Sequence, residues 1–96
     1  MLVIGLIFFL QTELFAAVDC GNTNLAVEKM ICHSTRAEKS DREMSFAYRQ
    51  ALKRGVSPDL LSSTQMEWEE EIRNRCNTVD CLVEANADRA YEINSM

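Results

Sequence analysis

Four cysteines are the residues of this chain whose chemistry is easiest to read from their spacing. Cys20 and Cys32 form one local pair in the sequence, and Cys76 and Cys81 form a second. An even number of cysteines in a chain of 96 residues that begins with an apolar leader is typical of a disulfide framework. Four cysteines allow three pairings. We predict the bonds Cys20–Cys32 and Cys76–Cys81, because each of them joins the partners that are nearest in sequence.

A metal site or a reactive thiol is the alternative use of these cysteines. Zinc sites usually combine cysteines two to four residues apart, or a spaced histidine pair, and only Cys76 and Cys81 come near that spacing. The single histidine, His33, directly follows Cys32, and neighbours on a helix point in different directions. A thiol activated by a nearby base is therefore not expected. We predict no metal, no cofactor and no catalytic residue.

The acidic residues are concentrated in one short run that contains Glu67, Glu69, Glu70 and Glu71. Glycosidase chemistry needs carboxylates that face each other across a cleft, and one helical run does not supply that. The run therefore predicts a solvated helix face. Residues three or four positions apart share one side of a helix, and we call Glu67, Glu70 and Glu71 the acidic face. The net charge of −5 and the scattered basic residues disfavour nucleic-acid binding.

An apolar leader precedes the cysteines. Residues 2–10 are apolar, residues 11–13 are polar, and Ala16 and Ala17 supply the small side chains that a signal peptidase needs. The apolar run is too short to span about 30 Å of hydrocarbon, which takes about 20 residues. We predict a signal peptide in residues 1–17 and one periplasmic or secreted domain in residues 18–96, with no stable membrane insertion after cleavage.

Two features leave alternatives to this leader open. No Lys or Arg precedes the apolar run, and the first basic residue is Lys29, so the true start could lie upstream or the signal is weak. A buried amphipathic helix at the N-terminus is the other interpretation of residues 1–17. Lipidation is not expected, because Asp19 precedes Cys20 where a lipoprotein signal needs a small neutral residue.

Helical periodicity fills the rest of the chain and predicts an all-α fold, a small disulfide-stapled bundle of three to four helices. Ser34 and Ser57 are the expected N-caps of the second and third helices, and Gly55 is expected to end the second. Asn77 or Thr78 then starts the last helix. Short connections favour antiparallel packing of the longer helices. The predicted helices cover about residues 24–33, 35–54, 58–75 and 79–96.

Several sequence elements occur in a characteristic order. They are Asp19-Cys20, Glu28 to Cys32, Asp41 with Met44 and Tyr48, Gln65 with Trp68, Arg73 to Cys76, Cys81-Leu82, and Arg89. In this order they resemble the LprI-type lysozyme-inhibitor domain, formerly a domain of unknown function, over essentially all of residues 18–96. The resemblance implies a secreted or periplasmic helical domain. For the named members of that family it also implies inhibition of lysozyme.

The residues of these sequence elements are expected mainly to stabilise the fold. Trp68 and Tyr48 are predicted to lie in the core. Asp41, Gln65 and Arg89 are predicted to be buried polar partners of one another that fix the register of the helices.

One spacing departs from the family. Five positions separate Trp68 from Arg73, one more than usual, and one residue turns a helix by about 100°. We therefore expect Arg73 on a different side of the third helix. The leucine that usually stands just ahead of Asp41 is also missing.

Binding of another protein is the function that these features favour. We expect non-covalent binding to lysozyme or another cationic cell-wall enzyme, because an acidic protein gains in encounter rate with a cationic one. Glu69 and Glu84 are expected to be exposed together with the acidic face. The alternative is a periplasmic immunity or envelope-stress protein that binds a different toxin or cell-wall enzyme. A small hydrolase is disfavoured for want of a catalytic set of residues.

Overall fold

The structure, a computed structural model, describes residues 18–96. The predicted signal peptide, residues 1–17, lies outside the described residues. The described chain is all-helical, and with its two disulfides it confirms the predicted small stapled bundle. No helix in residues 18–96 combines the length and apolar character needed to cross a membrane. The α-helices are α1 (Ala26–Cys32), α2 (Thr35–Arg54), α3 (Pro58–Glu71) and α4 (Val79–Asn94), and a 3₁₀-helix (Arg73–Arg75) precedes α4.

Most helix ends follow from the local sequence. Ser34, Ser57 and Thr78 each accept a hydrogen bond from the backbone N–H three residues ahead, at the starts of α2, α3 and α4. Each bond satisfies a donor that the first turn of a helix leaves without a partner. Gly55 ends α2 with a φ of 94°, a left-handed conformation that glycine adopts without steric cost. The predicted caps are confirmed at these four positions.

Two predicted helix limits are wrong. α1 begins at Ala26, and Leu25 stands at its N-cap without a side-chain hydrogen bond, so none of the polar residues just before it caps the helix. α3 ends at Glu71 rather than continuing to Arg75, because Ile72 leaves the helical conformation with a φ of −125° and a ψ of −64°. The chain then tightens into the 3₁₀-helix, which directs Arg73 into the interior.

The most extensive helix–helix contact is between α2 and α4. Gln65 Nε2 of α3 lies 3.3 Å from Met44 Sδ of α2. α2 and α4, the two longest helices, run in the same direction, since their contacts follow both helices in the same order. These contacts are Arg36 with Asp80, Ser40 with Asn86, and Arg54 with the carbonyl of Ile93. The expected antiparallel packing of the longer helices is therefore wrong for this pair, because short connections constrain only helices that follow each other in the chain.

The core combines apolar side chains with several buried polar ones. Tyr48 and Trp68 are buried, as predicted, and Arg89 is the largest of the fully buried side chains. The buried apolar residues are Val27, Ile31, Ala37, Met44, Ala47, Tyr48, Ala51, Leu61, Trp68, Cys76, Leu82, Ala85 and Ile93. The buried polar residues are Ser40, Asp41, Ser45, Gln65, Arg73, Asn86 and Arg89.

Both predicted disulfides are confirmed, so all four cysteines are paired. The Cα atoms of Cys20 and Cys32 are 5.6 Å apart, and those of Cys76 and Cys81 are 5.5 Å apart. The first bond ties the segment before α1 to the last residue of that helix. The second fastens the end of the 3₁₀-helix to the first turn of α4.

Removal of these bonds should weaken the fold in proportion to the loops that they close. Replacing Cys20 and Cys32 by Ser should lower the free energy of unfolding by about 3 kcal/mol, and the same change at Cys76 and Cys81 by about 2 kcal/mol, because the longer loop constrains the unfolded chain more. Urea unfolding of the two variants measures both values. Thiol titration of the denatured, unreduced protein should find no free thiol, and two reactive thiols per chain would contradict the framework.

Candidate functional site

A cluster of buried and half-buried charged side chains surrounds Arg73, which is 5% exposed. Its guanidinium lies 3.5 Å from Glu28 Oε2 and 3.9 Å from Glu69 Oε2, and its Nε donates to Asn74 Oδ1 at 3.0 Å. Asp41, 3% exposed, is the third carboxylate that this arginine influences. We call Glu28, Asp41, Glu69 and Arg73 the Arg73 cluster. It joins α1, α2 and α3 to the 3₁₀-helix.

The position of Arg73 corrects the expectation drawn from its spacing. Because α3 ends at Glu71, the extra residue after Trp68 does not rotate the arginine around a continuous helix. It lies instead in the 3₁₀-helix, from which its side chain reaches the interior.

Burial dominates the electrostatics of these groups. It raises the pKa of Asp41 and that of Glu69, because a carboxylate loses hydration in the interior, while Arg73 acts against both shifts. Burial also raises the pKa of Tyr48, which Arg89 lowers and Glu69 raises further. Although the Arg73 cluster contains three carboxylates, residues 18–96 contain no group of side chains arranged to hold a metal ion.

Arg89, 2% exposed, forms a second polar network between α3 and α4. Its Nε donates to Gln65 Oε1 at 2.8 Å, its Nη2 to Thr64 Oγ1 at 2.9 Å, and its Nη1 to Glu92 Oε1. The predicted partnership of Gln65 with Arg89 is confirmed. Asp41 is not part of this network: its carboxylate accepts a hydrogen bond from the backbone N–H of Val18 and belongs to the Arg73 cluster.

A shallow cleft of about 80 Å³ opens between α3 and α4. Its polar part contains the exposed carboxylates of Asp88 and Glu92, and Glu92 already pairs with the guanidinium of Arg89. An apolar surface in the same cleft as the carboxylate of Asp88 suits the aliphatic stem and the positive end of a lysine or arginine from another protein. The residues that line the cleft are Trp68, Ile72, Ala85, Asp88, Arg89 and Glu92.

The acidic face is exposed, as predicted. Glu71 lies 3.5 Å from Arg75, in an ion pair whose side chains are both largely exposed. Glu67 and Glu70, the other two residues of the face, form no ion pair with the described residues. Glu67 and Glu71 directly precede Trp68 and Ile72, which line the cleft, but no residue of the acidic face lines it. The exposed carboxylates of the cleft itself come from α4.

Three acidic positions differ from the expectations drawn from the sequence. Glu69 is not exposed like the rest of the run: 34% of its side chain is accessible, because it follows the buried Gln65 by one helical turn. Asp88 and Glu92 were not among the expected binding residues, although they line the cleft. Their spacing of four residues on α4 is the signal that could have placed them together. Glu84 is exposed, as predicted.

Comparison with protein-family models, with curated proteins and with solved structures finds no match to this chain. The resemblance to the LprI-type domain therefore rests on the sequence elements alone.

Proposed function

We propose that this protein is an exported binding protein that inhibits a cationic cell-wall hydrolase of the lysozyme type by non-covalent binding. The observation that carries the proposal is the cleft between α3 and α4, where the exposed side chains of Ile72 and Asp88 line one concavity. The order of the family elements supports the lysozyme-type partner, and the two disulfides suit an oxidising compartment outside the cytoplasm.

Charge and shape would contribute to binding in different ways. Exposed carboxylates on the acidic face and at Asp88 attract a positive partner over several ångströms and orient it, which raises the association rate. Close contact would then come from Ile72, which is 51% exposed and lines the cleft. An apolar group that loses its contact with water at the centre of an interface contributes more than the charges at its rim.

The titration properties of the described residues favour binding over acid–base chemistry. Asp41, Tyr48 and Glu69 have a raised pKa, and general acids or bases are commonly groups with such shifts. All three are buried or half-buried, and none lines the cleft. Their shifts come from loss of hydration inside the fold, as is common for structural polar groups.

Neutralising the acidic face should slow association without unfolding the protein. In the variant with Glu67, Glu70 and Glu71 all changed to Gln, we expect the rate of association with lysozyme to fall about tenfold at low salt, because electrostatic steering is lost. The parent rate should itself fall as salt is raised, since exposed charges are screened beyond about 8 Å at physiological ionic strength. Stopped-flow association and inhibition of cell-wall lysis by purified lysozyme measure both effects.

A matched control separates the position of the charges from their number. Changing Glu38 and Glu43 to Gln and Asp59 to Asn removes the same net charge from α2 and from the first turn of α3, and should leave the inhibition nearly intact. An equal loss of inhibition in both variants would contradict the role of the acidic face. Undiminished inhibition by the variant with the neutralised acidic face would contradict it as well. No inhibition by the parent protein would reject lysozyme and favour the alternative, a partner that is another toxin or cell-wall enzyme.

A further inference from the structure

Val18 makes a contact that links the start of the predicted processed chain to the core. Its backbone N–H donates to Asp41 Oδ2 at 3.2 Å, and its side chain is half-buried against the apolar core. This is the hydrogen bond that the structure shows to the carboxylate of Asp41 within residues 18–96. If the leader is removed after Ala17, this nitrogen is no longer an amide but the α-amino group of the protein.

The segment that holds Val18 is fixed by the residues that follow it. Asp19 Oδ1 accepts a hydrogen bond from the N–H of Gly21 at 3.0 Å, and the Asp19 carbonyl accepts one from the N–H of Asn22 at 3.0 Å. The Cys20–Cys32 disulfide then ties this turn to the end of α1. The nitrogen of Val18 is therefore held close to Asp41 by bonds that do not depend on residues 1–17.

Asp41 is the most deeply buried carboxylate of the Arg73 cluster, and burial raises its pKa against the influence of Arg73. The buried Arg89 acts on Glu69 but is not among the groups that act on Asp41. Arg42 also acts on Asp41, but its guanidinium is exposed and pairs with a glutamate one turn earlier in α2. Burying a carboxylate without a close cationic partner is costly, so a second cation beside Asp41 would stabilise the cluster.

We propose that Asp41 is the binding site for the α-ammonium group of Val18, and that removal of the leader completes the Arg73 cluster and stabilises the mature fold. Hydrolysis of the Ala17–Val18 peptide bond by a signal peptidase consumes one water, leaves the carboxylate on Ala17 and leaves the amine on Val18. At neutral pH the amine takes up a proton. The proposal rests on the predicted cleavage site and is independent of the identity of the binding partner.

The proposed ion pair has a defined dependence on pH. An α-amino group has an ordinary pKa of about 7.7–8.0, and a close carboxylate raises it in the folded protein. Its stabilisation is therefore complete below about pH 7.7 and is lost as the pH rises through the raised value. The other charged groups around Asp41 and its neighbour Glu69 are Glu28, Arg42, Arg73 and Arg89, and carboxylates and guanidinium groups do not ordinarily titrate between pH 8 and 10.

The experiment compares two N-termini that share all of the described residues. The full precursor is exported from a bacterial host, and the intact mass of the oxidised product identifies its first residue, which we expect to be Val18. A second form begins at Ala16, so that the nitrogen of Val18 remains an amide. At pH 7 the processed form should melt about 4–8 °C above the longer form, and this difference should disappear near pH 10.

Changing Asp41 to Asn in both forms tests the partner directly. The substitution should lower the melting temperature of the processed form by about 4–8 °C, and should leave that of the longer form unchanged or raised, because there it removes a buried carboxylate that has no close ammonium group. Asp88→Asn, a control at an exposed position, should leave the melting temperature of both forms unchanged. A processed chain that begins at another residue, or equal melting behaviour of the two parent forms at pH 7 and pH 10, would overturn the proposal.

Discussion

Replacing Trp68 with Ala should cost about 3–5 kcal/mol of unfolding free energy, the cost usual for truncating a buried aromatic side chain. Trp68 is 5% exposed and belongs to the apolar core, while it also forms one wall of the cleft. Domains of this size are typically stable by about 5–10 kcal/mol. The variant should therefore be largely unfolded under mild denaturing conditions, which urea titration followed by circular dichroism measures.

Glu70 supplies the matched control on the same helix. It is exposed and forms no ion pair with the described residues, so Glu70→Ala should change the stability by less than about 0.5 kcal/mol. Trp68→Phe keeps an aromatic ring in the core, so its loss of stability should be smaller than that of Trp68→Ala and larger than that of Glu70→Ala. Equal sensitivity at positions 68 and 70 would show that the buried and exposed sides of α3 have been assigned wrongly.

The parts of the fold that the sequence predicts well are those decided within a few residues. Ser57 with Pro58 starts α3 because a hydroxyl satisfies the free donors of the first turn, and proline lacks the N–H that would have no partner there. Gly55 ends α2 because the left-handed conformation is nearly free of cost for glycine alone. Cys76 and Cys81 meet because they flank one tight turn. None of these outcomes depends on a distant contact.

The errors occur where distant contacts decide the local structure. The periodicity of α3 gives no sign that the helix stops at Glu71, since the stop brings Arg73 to Glu28 of α1, far away in the sequence. The same long-range arrangement separates Asp41 from Gln65, although both are buried and polar. Spacing identifies which polar residues are buried, but only the packing of α1 and α2 decides how they are paired.

Only part of the candidate site could be predicted from the sequence, for the same reason. The exposed carboxylates of the acidic face follow from the three-to-four-residue spacing within α3, and they are exposed in the structure. The cleft beside them also needs Asp88 and Glu92, which α4 contributes. Since α4 meets α3 only through the tertiary fold, a search for acidic runs finds the exposed face of α3 and misses the carboxylates that line the cleft.

Replacing Arg89 with Ala should cost about 3–5 kcal/mol, because it removes the largest of the fully buried side chains and leaves Gln65 Oε1 in the interior without its donor. Arg42, an exposed arginine paired with Glu38, is the matched control. Arg42→Ala should change the free energy of unfolding by less than about 0.5 kcal/mol, as is usual for surface ion pairs. Chemical denaturation of both variants gives the comparison.

A pair of substitutions separates the packing of Arg89 from its hydrogen bonds. Arg89→Met keeps an unbranched stem of similar length but removes the donors, and Gln65→Leu then removes the acceptor that would be left without a partner. The double variant should be more stable than the sum of the single effects predicts, by about 1–2 kcal/mol, because an unsatisfied buried group costs more than an absent one. Strict additivity would show that the Gln65–Arg89 contact is not what holds α3 against α4. Since Arg89 also lines the cleft, a folded double variant that no longer binds the partner would show that this contact shapes the binding surface as well as the core.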